Sequence, residues 1–209
     1  MSKAINKVIK TLIFSDFVLN SAWGFLAPIF AIFIVKNITF GNLAEGAKIA
    51  GFATLVYWIV KSILQIPIGR RLDRDHGEKD DFRFMVLGIF LTGLVPFGFM
   101  ISFLAWHIYV FQILHAVGMA MAVPSWLAIF TRHIDRGKEA YEWSLESTSL
   151  GFGAGIAGAI GGFMVALYGF NIIFILVGFF TIVSALLLLL IHEEIVSKNH
   201  IFPKLPYSF

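Results

Sequence analysis

The stretch FNIIFILVGFFTIVSALLLLLI, residues 170–191, runs for 22 positions without one charged side chain. A bilayer hydrocarbon core of ~30 Å is crossed by ~20 helical residues, so a run of this length reads as a spanning helix. Five further windows qualify, at 11–35, 49–69, 84–105, 108–130 and 144–167. None shows the period-two alternation of a membrane β-strand. A helix satisfies its own backbone in lipid. The expected fold is therefore an all-α integral membrane bundle of six transmembrane helices over 1–191, with a short tail over 192–209.

Composition supports a membrane protein over a soluble one. The chain is 58% hydrophobic and 14% charged, whereas soluble domains run about 45–50% and about 25%. The first window follows Lys3, Lys7 and Lys10 but is long, is interrupted by Asp16 and Asn20, and has no clear small-residue cleavage site. It reads as a retained helix rather than a signal peptide. There is no cysteine, which excludes thiolate metal sites and thiol catalysis. No metal site and no cofactor is expected. No segment joins basic residues to stacking aromatics outside an apolar run, so nucleic acid is set aside as a partner.

An even number of spans puts both termini on one side. Thirteen of the sixteen Lys and Arg residues fall on that side, and only Lys36 and Lys48 on the other. By the positive-inside rule both termini are expected in the cytoplasm, for a multi-pass protein of a plasma or bacterial inner membrane.

The densest charge lies at 66–83, where ten of eighteen residues are ionised types, five of each sign. Gly69, Asp73 and Arg74, followed by Gly77 and Lys79, resemble the G-x-x-x-D-R-x-G-x-K/R motif of the major facilitator superfamily, with one extra residue before Gly77. That motif sits between the second and third helices, as this stretch does. The fifth window, with Gly151, Gly153, Gly155, Gly158, Gly161 and Gly162, resembles the family's glycine-rich fifth helix. The antiporter form carries a Gly-Pro pair there; here the pair is Ala157-Gly158. The Arg that proton-coupled members often place four residues before a fourth-helix Gly is Leu114 here, ahead of Gly118. The resemblance spans the chain but only half of the family's usual twelve spans, so it implies one half of a major-facilitator-type bundle.

Such halves are parallel repeats, related by an axis along the membrane normal. A two-fold homodimer therefore needs no inverted insertion. The expected dimer places the glycine face of the fifth helix and the polar face of the second near its axis. The packing residues are Gly151, Gly155, Gly158 and Gly162, at small-xxx-small spacing.

Polar residues fall in helical stripes. They are Asp16, Asn20 and Trp23 on the first helix, and Thr54, Trp58, Lys61 and Gln65 on the second. The fourth carries Gln112, His115, Met119, Ala122 and Trp126; the fifth carries Glu142, Glu146, Ser149 and Gly153. The resemblance implies that the first and fourth helices line a substrate cavity, helped by the second and fifth. Intramembrane ionisable groups are functional candidates by default, yet each has a structural alternative. Asp16 and Lys61 either form a buried ion pair or serve coupling and substrate. His115 either bonds a neighbouring helix or titrates in the cycle. Glu146 either partners the charged loops or binds solute. Asp73 and Arg74 are expected to pair with the 131–139 loop as a gate, the alternative being a solvated topogenic loop.

The leading expectation is a secondary active transporter of a small solute by alternating access, a homodimer of half-transporters with proton coupling as one option. The alternative is a non-transporting interaction subunit or one half of a heterodimer. An enzyme is not expected: there is no G-x-S-x-G around Ser149, and His192-Glu193-Glu194 lacks the second His of a zinc hydrolase.

Overall fold

A computed structural model describes residues 5–74 and 78–197, and these are helical almost throughout. The helices are α1 (Lys7–Leu26), α2 (Phe30–Phe33), α3 (Leu43–Arg74), α4 (Glu78–Met100), α5 (Ala105–His133), α6 (Glu139–Tyr168) and α7 (Phe170–Leu188). A π-helical turn, Ile34–Ile38, continues α2, and a short helical turn, Leu189–Ile191, continues α7. Gly77 of the loop motif lies outside the described residues.

Five helices are long and apolar enough to cross a membrane, and α1 with α2 and the π turn makes a bent sixth. The first window was expected as one helix over 11–35. It is broken instead, with a 41° bend between the two segments. Pro28 sits in the break; it has no N–H to continue the ladder and its ring crowds the preceding turn. The helices also outrun their windows. α3 has 32 residues, about 48 Å at ~1.5 Å each, well beyond a ~30 Å core. Past 191, where the tail is expected to begin, the chain continues as a helical turn, Glu193–Ser197, with Ile195 buried.

Local signals set the helix ends. Asn6 caps α1, its side-chain oxygen accepting from the Ile9 N–H at 3.0 Å, and Asn42 does the same for Glu45 at the start of α3. Such a cap satisfies one of the donors that a helix N-terminus leaves free. Gly169, at φ 78°, is the single residue between α6 and α7; a side chain there would be strained.

Six helices pack as a chain of neighbours, with α1, α4, α5 and α7 inside it and α3 and α6 at its two ends. α1 lies against α6 and α7, α7 against α4, α4 against α5, and α5 against α3. The α4–α5 crossing is made by glycine on glycine: a Cβ on Gly118 would stand 2.7 Å from the Gly88 carbonyl. The α1–α7 crossing is pinned by Ser15 and Ser184, each hydroxyl donating to the other's backbone carbonyl at 2.8–2.9 Å. Small residues and paired hydroxyls suit helices in lipid, where apolar burial drives no association. The outer helices differ. Only 11% of α3's apolar window and 17% of α6's are buried, against 44–56% for α4, α5 and α7.

Candidate functional site

α1 and α5 run side by side with few direct contacts. The gap between them is a groove, flanked by α3 on one side and α6 on the other. Two cavities occupy it, and the polar stripes are divided between them.

The first cavity, about 240 Å³, lies in the half of the bundle nearer the charged loops. Asp16 and Leu19 of α1, Met119, Ala122 and Trp126 of α5, and Trp143, Glu146 and Leu150 of α6 line it. The Asp16 and Glu146 carboxyls approach each other. Glu146 is only 4% exposed, and neither of its oxygens has a hydrogen-bond partner; the Trp126 indole N–H is buried without one too. Trp126 stacks on Phe130 at 4.6 Å, and Trp143 leans on the same ring.

The second cavity, about 230 Å³, lies towards the other end. It is lined by Trp23, Leu26, Ala27 and Phe30, by Thr54 and Tyr57 of α3, by Phe99, and by Gln112 and His115 of α5. Trp23 and His115 stack face to face at 3.9 Å, closing the groove between α1 and α5. The side-chain oxygen of Gln112, Nδ1 of His115 and the Trp23 indole nitrogen are buried without hydrogen-bond partners among the described residues.

Several expectations change here. Asp16 does not meet Lys61: its ionisable neighbour is Glu146, while the Lys61 ammonium stands over the Trp58 ring at 4.9 Å and the Tyr57 ring at 5.8 Å. Asn20 donates to the Asp16 backbone carbonyl at 3.0 Å and stands beside the Asp16 carboxyl. Trp58 is 55% exposed, one turn along α3 from Thr54 and outside the lining of either cavity, and Gln65 is half-buried farther along that helix. His115 finds a stacking partner rather than the hydrogen bond across helices that was its structural alternative. The charged loop is met by Glu142, whose carboxylate accepts from the Asp135 N–H at 3.1 Å, and not by Glu146. Of the glycines expected to pack at a dimer axis, Gly151, Gly155 and Gly162 have open space beside them within the single chain, and Gly158 lies in ordinary contact with α1. Within the chain it is Gly153 and Gly161 that pack closely on α1.

The charged end has its own construction. Arg132 of α5 pairs with Asp81 and reaches Glu78 at 3.9 Å, while His133 Nε2 lies 2.9 Å from Glu78. The Asn6 amide donates to the His133 carbonyl at 2.7 Å and to Asp135 at 3.2 Å. That second bond, foremost, holds the Asp135 carboxyl below its ordinary range. The knot thus meets the 131–139 loop through Glu78 and Asp81. Asp73 and Arg74 end α3 exposed, Lys79 is exposed in the first turn of α4, and Gly69 lies 4.0 Å from Pro124 of α5, measured from where its Cβ would stand. Glu78, Asp81, Arg132 and Trp143 were missed as site residues. Their signal was position: the acids and Arg132 are the charges that flank uncharged runs on two consecutive helices.

The family model of the Major Facilitator Superfamily matches residues 12–205. No curated protein and no solved structure matches the chain.

Proposed function

Because the chain belongs to the Major Facilitator Superfamily, a family of multi-pass membrane transporters, we propose that it is a secondary active transporter of a small solute. It works by alternating access, as a homodimer of six-helix halves in a cell membrane with both termini cytoplasmic. The observation that carries this reading is the uncovered groove. Two cavities with orphaned polar atoms lie between α1 and α5. The helices that flank them, α3 and α6, are the least buried of the long helices and do not pack on each other. Buried polar atoms without partners are costly, and a bundle in lipid has no water at its flank to satisfy them. A second copy related by a two-fold axis would set α3 against α6 of its mate and enclose both grooves in one central space.

Asp16 and Glu146 are the proposed proton carriers, since two facing carboxyls without a basic side chain in their cavity are held together by a shared proton. Asp73 and Arg74, at the mobile edge of such a dimer, are the proposed gate.

The test uses the purified chain alone. A thermal-shift screen against sugars, amino acids, organic ions and drugs at two pH values selects the solute, which is then followed in proteoliposomes. Wild type accumulates it under a pH gradient, whereas Asp16→Asn keeps counterflow exchange and loses uphill accumulation. A monomeric mass in mild detergent, with no symmetric cross-link from Gly155→Cys in membranes, overturns the homodimer. Transport that appears only with another chain's half identifies a heterodimer.

A further inference from the structure

We propose that the Asp16–Glu146 cavity is a binding site for an organic monocation with an aromatic or otherwise apolar body. The proposal deepens the transporter reading by naming the class of solute. Three features of this one cavity point the same way.

The first is charge. The lining holds two carboxyls and no Lys, Arg or His. The nearby bases are occupied elsewhere: Arg132 by Asp81 and Glu78, Lys138 by Asp135 at 3.5 Å, Lys61 by the Trp58 ring. The second is dissatisfaction. Both Glu146 oxygens are buried and, the Asp16 carboxyl apart, meet no polar group among the described residues, although buried charge without a counter-charge is strongly disfavoured. A ligand cation supplies what the protein withholds. The third is the wall. Trp126 and Trp143, 6.2 Å apart and inclined at 60°, present indole rings beside the acids, and a cation near a Trp face gains from the ring quadrupole. The remaining lining, from Leu19, Met119 and Leu150, is apolar and suits a hydrocarbon body.

The donor set decides against a bare metal ion. Hard cations take about six to eight oxygen ligands; here two carboxyls face indoles and aliphatic chains, and no cluster of three or more metal-binding side chains occurs among the described residues. Size limits the ligand as well. Drug-sized ligands occupy roughly 300–1,000 Å³. A cavity of about 240 Å³ takes a small arylalkylammonium whole, and a larger cation only with part of it in the facing half.

Equilibrium binding to the purified full chain, read by quenching of tryptophan fluorescence and checked by thermal shift, tests this with matched probes. These are benzyltrimethylammonium, its uncharged carbon isostere neopentylbenzene, and the anion benzenesulfonate. The cation is expected to bind at least about tenfold more tightly than the isostere, and the anion not at all. Asp16→Asn with Glu146→Gln, near-isosteric changes that keep the packing, should weaken cation binding about tenfold or more, and Trp143→Leu about threefold, while isostere binding stays the same. Equal binding of cation and isostere, no cation binding by wild type, or full cation affinity in the double variant overturns the site. The wild-type comparison needs no variant, so a variant that fails to fold does not protect the proposal. Failure of the two readings is distinguishable. A cation that binds but is never carried across proteoliposomes leaves the site and removes the transport. Another solute carried by a chain that ignores the cation does the reverse.

Discussion

Helix α6 carries small residues on two faces, and the faces meet different surroundings. On the inner face Gly153, Ala157 and Gly161, spaced by four, lie against α1; a Cβ on Gly161 would stand 3.0 Å from the Phe25 Cα. On the outer face Gly151, Gly155 and Gly162 have nothing within 4 Å. Spacing alone does not distinguish these stripes, since both place small residues one turn apart. What separates them is whether a backbone arrives. The inner stripe belongs to the fold of one chain. The outer stripe is open surface in the single chain, and Phe163 beside it is 76% exposed; it is the face that the proposed dimer would use.

Substitutions can break that contrast. Gly161→Leu should have the largest effect, about 3 kcal/mol of lost stability, because the obstacle is backbone and cannot rotate away. A steep fall in the thermal midpoint in detergent is the expected reading. Arg132→Ala comes next. It strips the cation from Asp81 and Glu78, which are 0% and 7% exposed. Breaking a fully buried pair costs about 3–5 kcal/mol, and the 27% exposure of Arg132 reduces this to about 2 kcal/mol. Gly155→Leu should change monomer unfolding by less than about 0.5 kcal/mol yet lower the dimer fraction seen by mass in mild detergent. If it unfolds the chain as Gly161→Leu does, the two faces are alike and the contrast fails. The smallest effect belongs to Asp135. Its carboxyl is held below its ordinary range by Asn6, so the stabilisation is present at neutral pH. It is lost as pH falls through that lowered range. Asp135→Ala should therefore lower the midpoint slightly at pH 7 and not at all at the acid extreme, as a pH series of melting curves would reveal.

The spans were legible because an uncharged run of ~20 residues has one stable arrangement in lipid. The loop and glycine motifs pointed to the family that the family model then matched. The residue types of the site were legible too, since Asp16, Gln112, His115, Trp126 and Glu146 do line the groove. Their grouping was not. Helical periodicity says which residues share a face but nothing of how far along the neighbouring helix each one docks. Asp16 thus faced Lys61 in expectation and Glu146 in the fold. The same gap hid Glu78 and Asp81, whose meaning depends on α5 ending beside them. It also hid Trp143, which stands one turn before Glu146 and off the polar stripe of its helix.

The break at Pro28 has a mechanical consequence. Below it, α1 is held by α6 and α7; above it, Val35 packs so closely on Gly46 that its Cα lies 3.0 Å from where a Cβ there would stand. Phe33 also meets Phe170 and Phe174 of α7, at 5.5 and 4.8 Å. The upper part of the first span therefore links α3 to α7, and a tilt of α3 would pull on it from one side. Pro28 has no hydrogen bond to rupture, so it takes up the turn as a universal joint does in a drive shaft. Ala27 and Phe30 on either side of that joint are walls of the second cavity. A tilt of the outermost helix would reshape that chamber before α1 itself had to move.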